Sequence, residues 1–113
     1  MISDYHFGSV RVDDNTYSAD LILLPDRVIG SWWRKSGHCL HPDDLTGIVE
    51  AAPDVLVIGT GSFGVMQVPA DTVAFLKSNG IAPVVLKTDA ACREYNERKS
   101  NGEKVAAALH LTC

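Results

Sequence analysis

The sequence predicts an α/β domain in which an amino-terminal antiparallel β meander joins a mixed sheet carrying about three helices. Three observations lead to this expectation. The apolar period changes at Pro42, short strand-like runs lie before it, and strand and helix patterns alternate after it. A chain of 113 residues also accommodates one hydrophobic core more readily than two, so residues 1–113 are read as one domain.

In the first part, Gly8 to Val12 alternates and Asp13-Asp14-Asn15 is a polar turn leading to a strand over Thr16 to Ala19. Leu21 to Leu24 reads as the next strand, Pro25-Asp26 as a turn, and Val28 to Trp33 as a further strand. Pro42 suits the first turn of a helix, where its missing N–H is not needed, and Asp43 and Asp44 favour the positive end of the helix dipole. Leu45, Ile48, Val49 and Ala52 then recur at helical spacing until Pro53.

Asp54 to Ile58 is a continuous apolar run of the kind found in strands covered on both faces. Pro69 opens a second helix that ends at Asn79-Gly80. Pro83 to Leu86 is the next strand. Thr88 is placed to cap a third helix reaching about Lys99, with Ala91, Cys92 and Tyr95 inward. After the Asn101-Gly102 turn, Val105, Ala107, Leu109 and Leu111 alternate along a last strand.

Composition narrows the function classes. The net charge of −4 and the lack of an arginine cluster argue against a nucleic-acid binder. Its apolar runs, Leu21 to Pro25 and Val55 to Gly59, are too short to span a bilayer, and MISDYHFGSV lacks the features of a signal peptide. Cys39, Cys92 and Cys113 are odd in number and form no C-x-x-C, so the expected compartment is the reducing cytoplasm.

Gly59-Thr60-Gly61-Ser62-Phe63-Gly64 matches G-x-G-x-x-G after a strand. The β-prone Val65 to Val68 nevertheless separates it from the next helix, and Asp89, the acidic residue after the next strand, comes late for a ribose ligand and is expected to open a helix instead. A sharp turn at a strand end is the better reading, and no cofactor is expected. His38, Cys39 and His41 lack a second cluster to complete a metal site. Cys92 reads as a small core residue, and Ser62 is not in a nucleophile elbow, so no catalytic residues are assigned. Trp32-Trp33 points two indoles to opposite sides of a strand, so one can fill the core while the other anchors an interface, or both can be covered.

Gly59-Thr60-Gly61, the T-x-x-A-x-x-x-Y-N run from Thr88 to Asn96, and Val105 to Leu109 occur here in one order, after Leu21 to Pro25 and a tryptophan. In that combination the chain resembles a family of small proteins of unknown function, the Mth-domain-like proteins. Relatives include the adipogenesis-associated Mth-domain protein and a mitochondrial assembly factor of respiratory complex I. The resemblance implies a three-layer α/β fold with a mixed central sheet, no established enzymatic activity, and a role in assembling or stabilising other proteins. The chain departs from the family in the uncharged stretch Ser62 to Val68, in Glu97-Arg98-Lys99, and at Glu103.

Two readings follow. The first is a non-catalytic protein-interaction or assembly module, with a protein partner or a second copy meeting Trp32 or Trp33. The alternative is a small-molecule-binding protein or enzyme with its site over Gly59, Thr60 and Gly61, flanked by Thr88, Tyr95 and Asn96.

Overall fold

A computed structural model describes all residues 1–113. Its strands fall into two sheets. Strands β1 (Ile2–His6), β2 (Ser9–Val12) and β3 (Asn15–Tyr17) form an antiparallel sheet in the order β1-β2-β3. Strands β4 (Leu21–Leu23), β5 (Val28–Ile29), β6 (Val55–Thr60), β7 (Ala82–Leu86) and β8 (Val105–His110) form a mixed sheet in the order β5-β4-β8-β6-β7. The expected meander is therefore shared between two sheets, with β4 and β5 added to the central one.

β6, β7 and β8 run parallel, while β4 pairs antiparallel to β8. Helix α2 (Ala70–Ser78) links β6 to β7, and α3 (Thr88–Ser100) links β7 to β8. A short 3-10 turn, Pro42–Leu45, runs into α1 (Thr46–Ala51). The chain steps from β6 outward to β7 and then returns past β6 to β8, so the strand order reverses around β6.

Alternation along the central strands sorts side chains onto two cores. Leu21, Leu23, Val55, Val57, Val105, Ala107 and Leu109 face α3 and the three-stranded sheet, meeting Ala91, Cys92, Tyr95, Val10 and Val12. Ile22, Leu24, Leu56, Ile58, Ala106 and Ala108 face the other way, toward Trp32, Leu40, Leu45, Ile48 and Leu76. Every residue of β6 and β8 is buried, as expected for strands covered on both faces. This is a three-layer arrangement.

Three elements differ from the sequence-based expectation. β1 is an unexpected strand, because Ile2–His6 is mostly polar and its pairing with β2 is irregular between Ser3 and His6, around Asp4 at φ 48°. β5 spans only Val28–Ile29 instead of extending to Trp33. Thr88 lies within the first turn of α3, after Lys87, and its hydroxyl serves the neighbouring loop rather than the helix start.

Pro83 lies inside β7, where a proline removes a ladder donor. The Ala82 N–H donates to Asp54 O on the β6 side at 3.0 Å. Strand alternation then turns the backbone groups of residues 83 and 85 outward. The missing N–H of Pro83 thus falls on the open edge of the sheet, where it discourages another strand from adding. Pro83→Val is expected to leave the fold intact but increase concentration-dependent association, measurable by light scattering.

Candidate functional site

The reversal of strand order directs attention to the carboxyl ends of β6 and β8, where α/β sheets commonly hold ligands. Here the crevice is occupied by the chain itself. Gly61 has φ +106°, and a Cβ added there would stand 2.2 Å from the Cys113 carbonyl carbon. Ser62 N–H donates to Thr112 O at 2.6 Å and Val65 N–H to Cys113 O at 2.9 Å, which seats residues 112–113 across the turn. The Gly61 N–H donates to the Thr88 hydroxyl at 2.8 Å, and that hydroxyl donates to His110 O at 2.6 Å.

The residues expected to flank a ligand are dispersed among structural tasks. Gly59 leaves no room for a side chain, because an added Cβ would stand 2.8 Å from Thr88 Oγ1. Thr60 donates its hydroxyl to Leu86 O at 3.1 Å. Tyr95 is buried among the apolar side chains beneath α3. Asn96 clamps the start of β1: its Oδ1 accepts from the Ile2 N–H at 2.8 Å, and its Nδ2 donates to Ile2 O at 2.7 Å. Thus Gly61 and Thr88 are brought together, whereas Tyr95 and Asn96 serve the layer below.

Asn96 and Cys92 also line a hollow of about 220 Å³ between β1 and α3, with Tyr5, Asp89 and Arg93. Burial pushes the Cys92 thiol up to about 12, so at neutral pH it is not a nucleophile. No group of three or more His, Cys, Asp or Glu side chains gathers in metal-binding geometry, and His38, Cys39 and His41 do not converge.

The two tryptophans part company. Trp32 is buried, with its indole N–H donating to Asp44 O at 3.2 Å, so it supports the core. Trp33 is 78% exposed.

The chemically distinctive site was not visible in the sequence. β4 pairs with β8 by matching Leu21 to Leu109 and Ile22 to Ala108. Continuing that register by one residue places Asp20 opposite His110. Asp20 Oδ2 lies 2.7 Å from His110 Nδ1 and 2.7 Å from Arg34 Nη1, and Oδ1 accepts from the Leu111 N–H at 2.8 Å. The Arg34 guanidinium lies 4.7 Å over the Trp32 ring and donates from Nη2 to Gly37 O at 2.9 Å. The ring of the exposed His38 stands edge-on to His110.

Chemistry assigns the His110 proton. A carboxylate only accepts and a guanidinium only donates. The closer contact is with Asp20, so Nδ1 carries a hydrogen and donates it there. The approach of Arg34 Nη2 at 3.1 Å is then not a second hydrogen bond to the same nitrogen. Arg34 Nη1 pairs with the same carboxylate oxygen at 2.7 Å, a buried ion pair. Burial opposes charge on Asp20, but the Leu111 N–H, His110 and Arg34 outweigh it and hold the carboxyl below its ordinary range.

These geometries accompany a clear relationship. The sequence from residue 2 to residue 110 matches the family described as "Protein of unknown function (DUF498/DUF598)". The chain belongs to this family. The solved structure of MT938 is 30% identical with a TM-score of 0.84, covering 100% of this chain and 98% of that one. An outer membrane protein from Bartonella henselae is 25% identical with a TM-score of 0.86, covering 99% of this chain and 94% of the other. A Bordetella pertussis protein described as a Mth938-like domain shares the fold at 21% identity and a TM-score of 0.71, over 97% and 84% of the two chains. The family expectation drawn from Gly59-Thr60-Gly61 and the Thr88 to Asn96 run is confirmed, as is the α/β fold class. No helix is long and apolar enough to cross a membrane.

Two outcomes test this arrangement. Asp20→Asn is expected to lower stability by about 3 kcal/mol at neutral pH, because it leaves Arg34 buried without its counter-charge. Asp20 is shifted below its unfolded value, so its contribution is present above about pH 4 and fades as pH falls through the lower native value. Urea titrations at several pH values should show the gap between wild type and variant narrowing in acid. Gly61→Ala is expected to cost about 2 kcal/mol or more through backbone strain and collision with Cys113, read as a lower urea midpoint.

Proposed function

We propose that this domain is a non-catalytic protein-interaction or assembly module that presents an aromatic rim at the carboxyl ends of β6 and β8. One observation carries the reading: large aromatic side chains are left in solvent around that end. Trp33, Phe63 and Phe7 are 78%, 71% and 58% exposed. Phe7 and Phe63 also neighbour each other, with ring centroids 6.3 Å apart.

Their placement follows from the backbone. Phe63 lies on the glycine turn held by Thr112 and Cys113, and Phe7 precedes Gly8, whose N–H donates to Leu111 O at 2.8 Å. Trp33 stands between Trp32, whose N–H donates to Asp20 O at 2.8 Å, and Arg34, which reaches His110. Single exposed apolar residues are ordinary, but several aromatics at one end of a small domain form the kind of surface that anchors a partner. The alternative, a ligand over Gly59-Thr60-Gly61, has less support because the Thr88 hydroxyl and residues 112–113 already occupy the turn.

The experiment places a photo-crosslinking amino acid at position 33 or 63 and follows self-association of the purified protein by sedimentation. Crosslinks between defined copies, or to one reproducible partner, with association weakened about tenfold by Trp33→Ala and Phe63→Ala, are the expected result. A monomer at all concentrations that crosslinks to nothing from either position overturns the proposal. Both residues are exposed, so the variants should keep their far-ultraviolet circular dichroism.

A further inference from the structure

Tyr95 is 3% exposed, and no group of the chain bonds to its hydroxyl. Polar atoms on side chains this deep in a protein nearly always find a partner. The oxygen is not sealed in either, since the fully enclosed polar atoms without partners all belong to Arg34 and His110. It opens on a hollow of about 200 Å³ where β2, β4, β5 and α3 converge. Val12, Leu23 and Val28 wall this space, and the exposed Lys99 stands at its mouth. Tyr95 and Lys99 lie four residues apart on α3, so they share one face of the helix.

We propose that this hollow binds a small monocarboxylate with an apolar body, such as benzoate or hexanoate. Asp13 accepts from the Met1 amino group at 2.7 Å, and Asp26 pairs with Arg27 at 3.3 Å. Of the ionised side chains lining the space, Lys99 alone forms no ion pair. Burial, and then the charge of Asp13, push the Tyr95 phenol up, so it keeps its proton at neutral pH. The two spare groups, a phenol and an ammonium, both supply donors, so the ligand must accept. Valine and leucine walls favour a hydrocarbon body. An apolar cavity of about 150 Å³ admits a benzene ring, so this space suffices for one ring or a short chain with its carboxylate. A dianion would meet Asp13 and Asp26 with no second unpaired cation to answer it, and an ammonium ligand would leave Tyr95 and Lys99 unanswered.

The site is separate from the aromatic rim, so either can fail without the other. Leu23 pairs with Ala107 toward the start of β8, whereas the rim stands where β6 and β8 end. The walls come from both sheets, β2 from the first and β4 and β5 from the second. The hollow is thus a gap where the two sheets part over the last turns of α3. The exposed Asp26 and Arg27 form its outer lip. A carboxylate at that mouth keeps part of its hydration while the body of the ligand leaves water.

The experiment follows the methyl resonances of Val12, Leu23 and Val28 in the whole protein as benzoate or hexanoate is added at constant ionic strength. Acetate, benzyl alcohol and benzylamine are titrated in parallel. Saturable shifts at millimolar benzoate or hexanoate are expected, with each of the other three at least about tenfold weaker. Tyr95→Phe keeps the ring and deletes only an oxygen that the free protein does not use. It should therefore leave the urea midpoint unchanged and raise the ligand midpoint about tenfold, the worth of one hydrogen bond to a charged group. Lys99→Gln should raise it about threefold, less because the ammonium is exposed and screened. A response to one acid alone supports the site and says whether a ring or a chain is held. No saturable shift with either acid, an equal response to benzyl alcohol or benzylamine, or an unmoved ligand midpoint in Tyr95→Phe overturns the proposal.

Discussion

The Asp20 carboxylate is the constraint on which one whole end of this molecule depends. Its oxygens engage Leu111 N–H, His110 and Arg34, and its own carbonyl accepts from Trp32. The entry to β4, the exit from β8 and the segment beyond β5 are thus joined through one residue. The physical logic is mutual: Arg34 is tolerable beside an apolar core because Asp20 answers its charge, and Asp20 stays ionised there because three donors surround it. Sheet register makes the meeting obligatory. A slip of one residue between β4 and β8 would turn Asp20 to the opposite face, toward α3 and its apolar neighbours.

Next to this cluster, the glycine turn shows how a loop with a cofactor-binding pattern can serve packing instead. A dinucleotide crevice needs free N–H groups and space above the strand end. At Gly61 the N–H is given to Thr88, and the space above is taken by Thr112 and Cys113. The positive φ of Gly61 is required by that close approach. With the crevice filled from within, the chemistry of this end divides. Charged groups lie beneath the Lys35 to His38 turn, and aromatic side chains stand on the rim.

The sequence made the fold class legible because it depends on period and punctuation. β6 and α3 follow from continuous apolar runs, prolines and the Asn101-Gly102 turn, all local signals. β1 was hidden because Ser3, Asp4 and His6 carry no apolar alternation, and Ile2 is the only residue of the strand that is fully buried. It is held by Asn96, a partner ninety-four positions away. The same reason hid the Asp20, Arg34 and His110 cluster. Each residue is unremarkable in its own stretch, and only the antiparallel register of β4 on β8 brings the three together. Trp32 and Trp33 lie beyond the end of β5 at Ile29, so strand alternation does not decide their fates; which ring is covered depends on the Arg34 and Asp44 contacts.

The edges of the central sheet bear on how such a domain meets a partner. At one end of the sheet stands β7, whose outward donor at position 83 is removed by proline. At the other stands β5, only two residues long. Short or proline-interrupted edges resist the addition of another strand. A partner that cannot extend the ladder must recognise side chains, and the large apolar ones in solvent are concentrated where the strands end, at Phe7, Trp33, Phe63 and Val65. Closed edges and an open aromatic rim therefore favour contact through the loops over contact through the backbone. Trp33, the most exposed of these side chains, stands next to the exposed Lys35 to His38 turn, whose position is set by Arg34 and its buried partner Asp20.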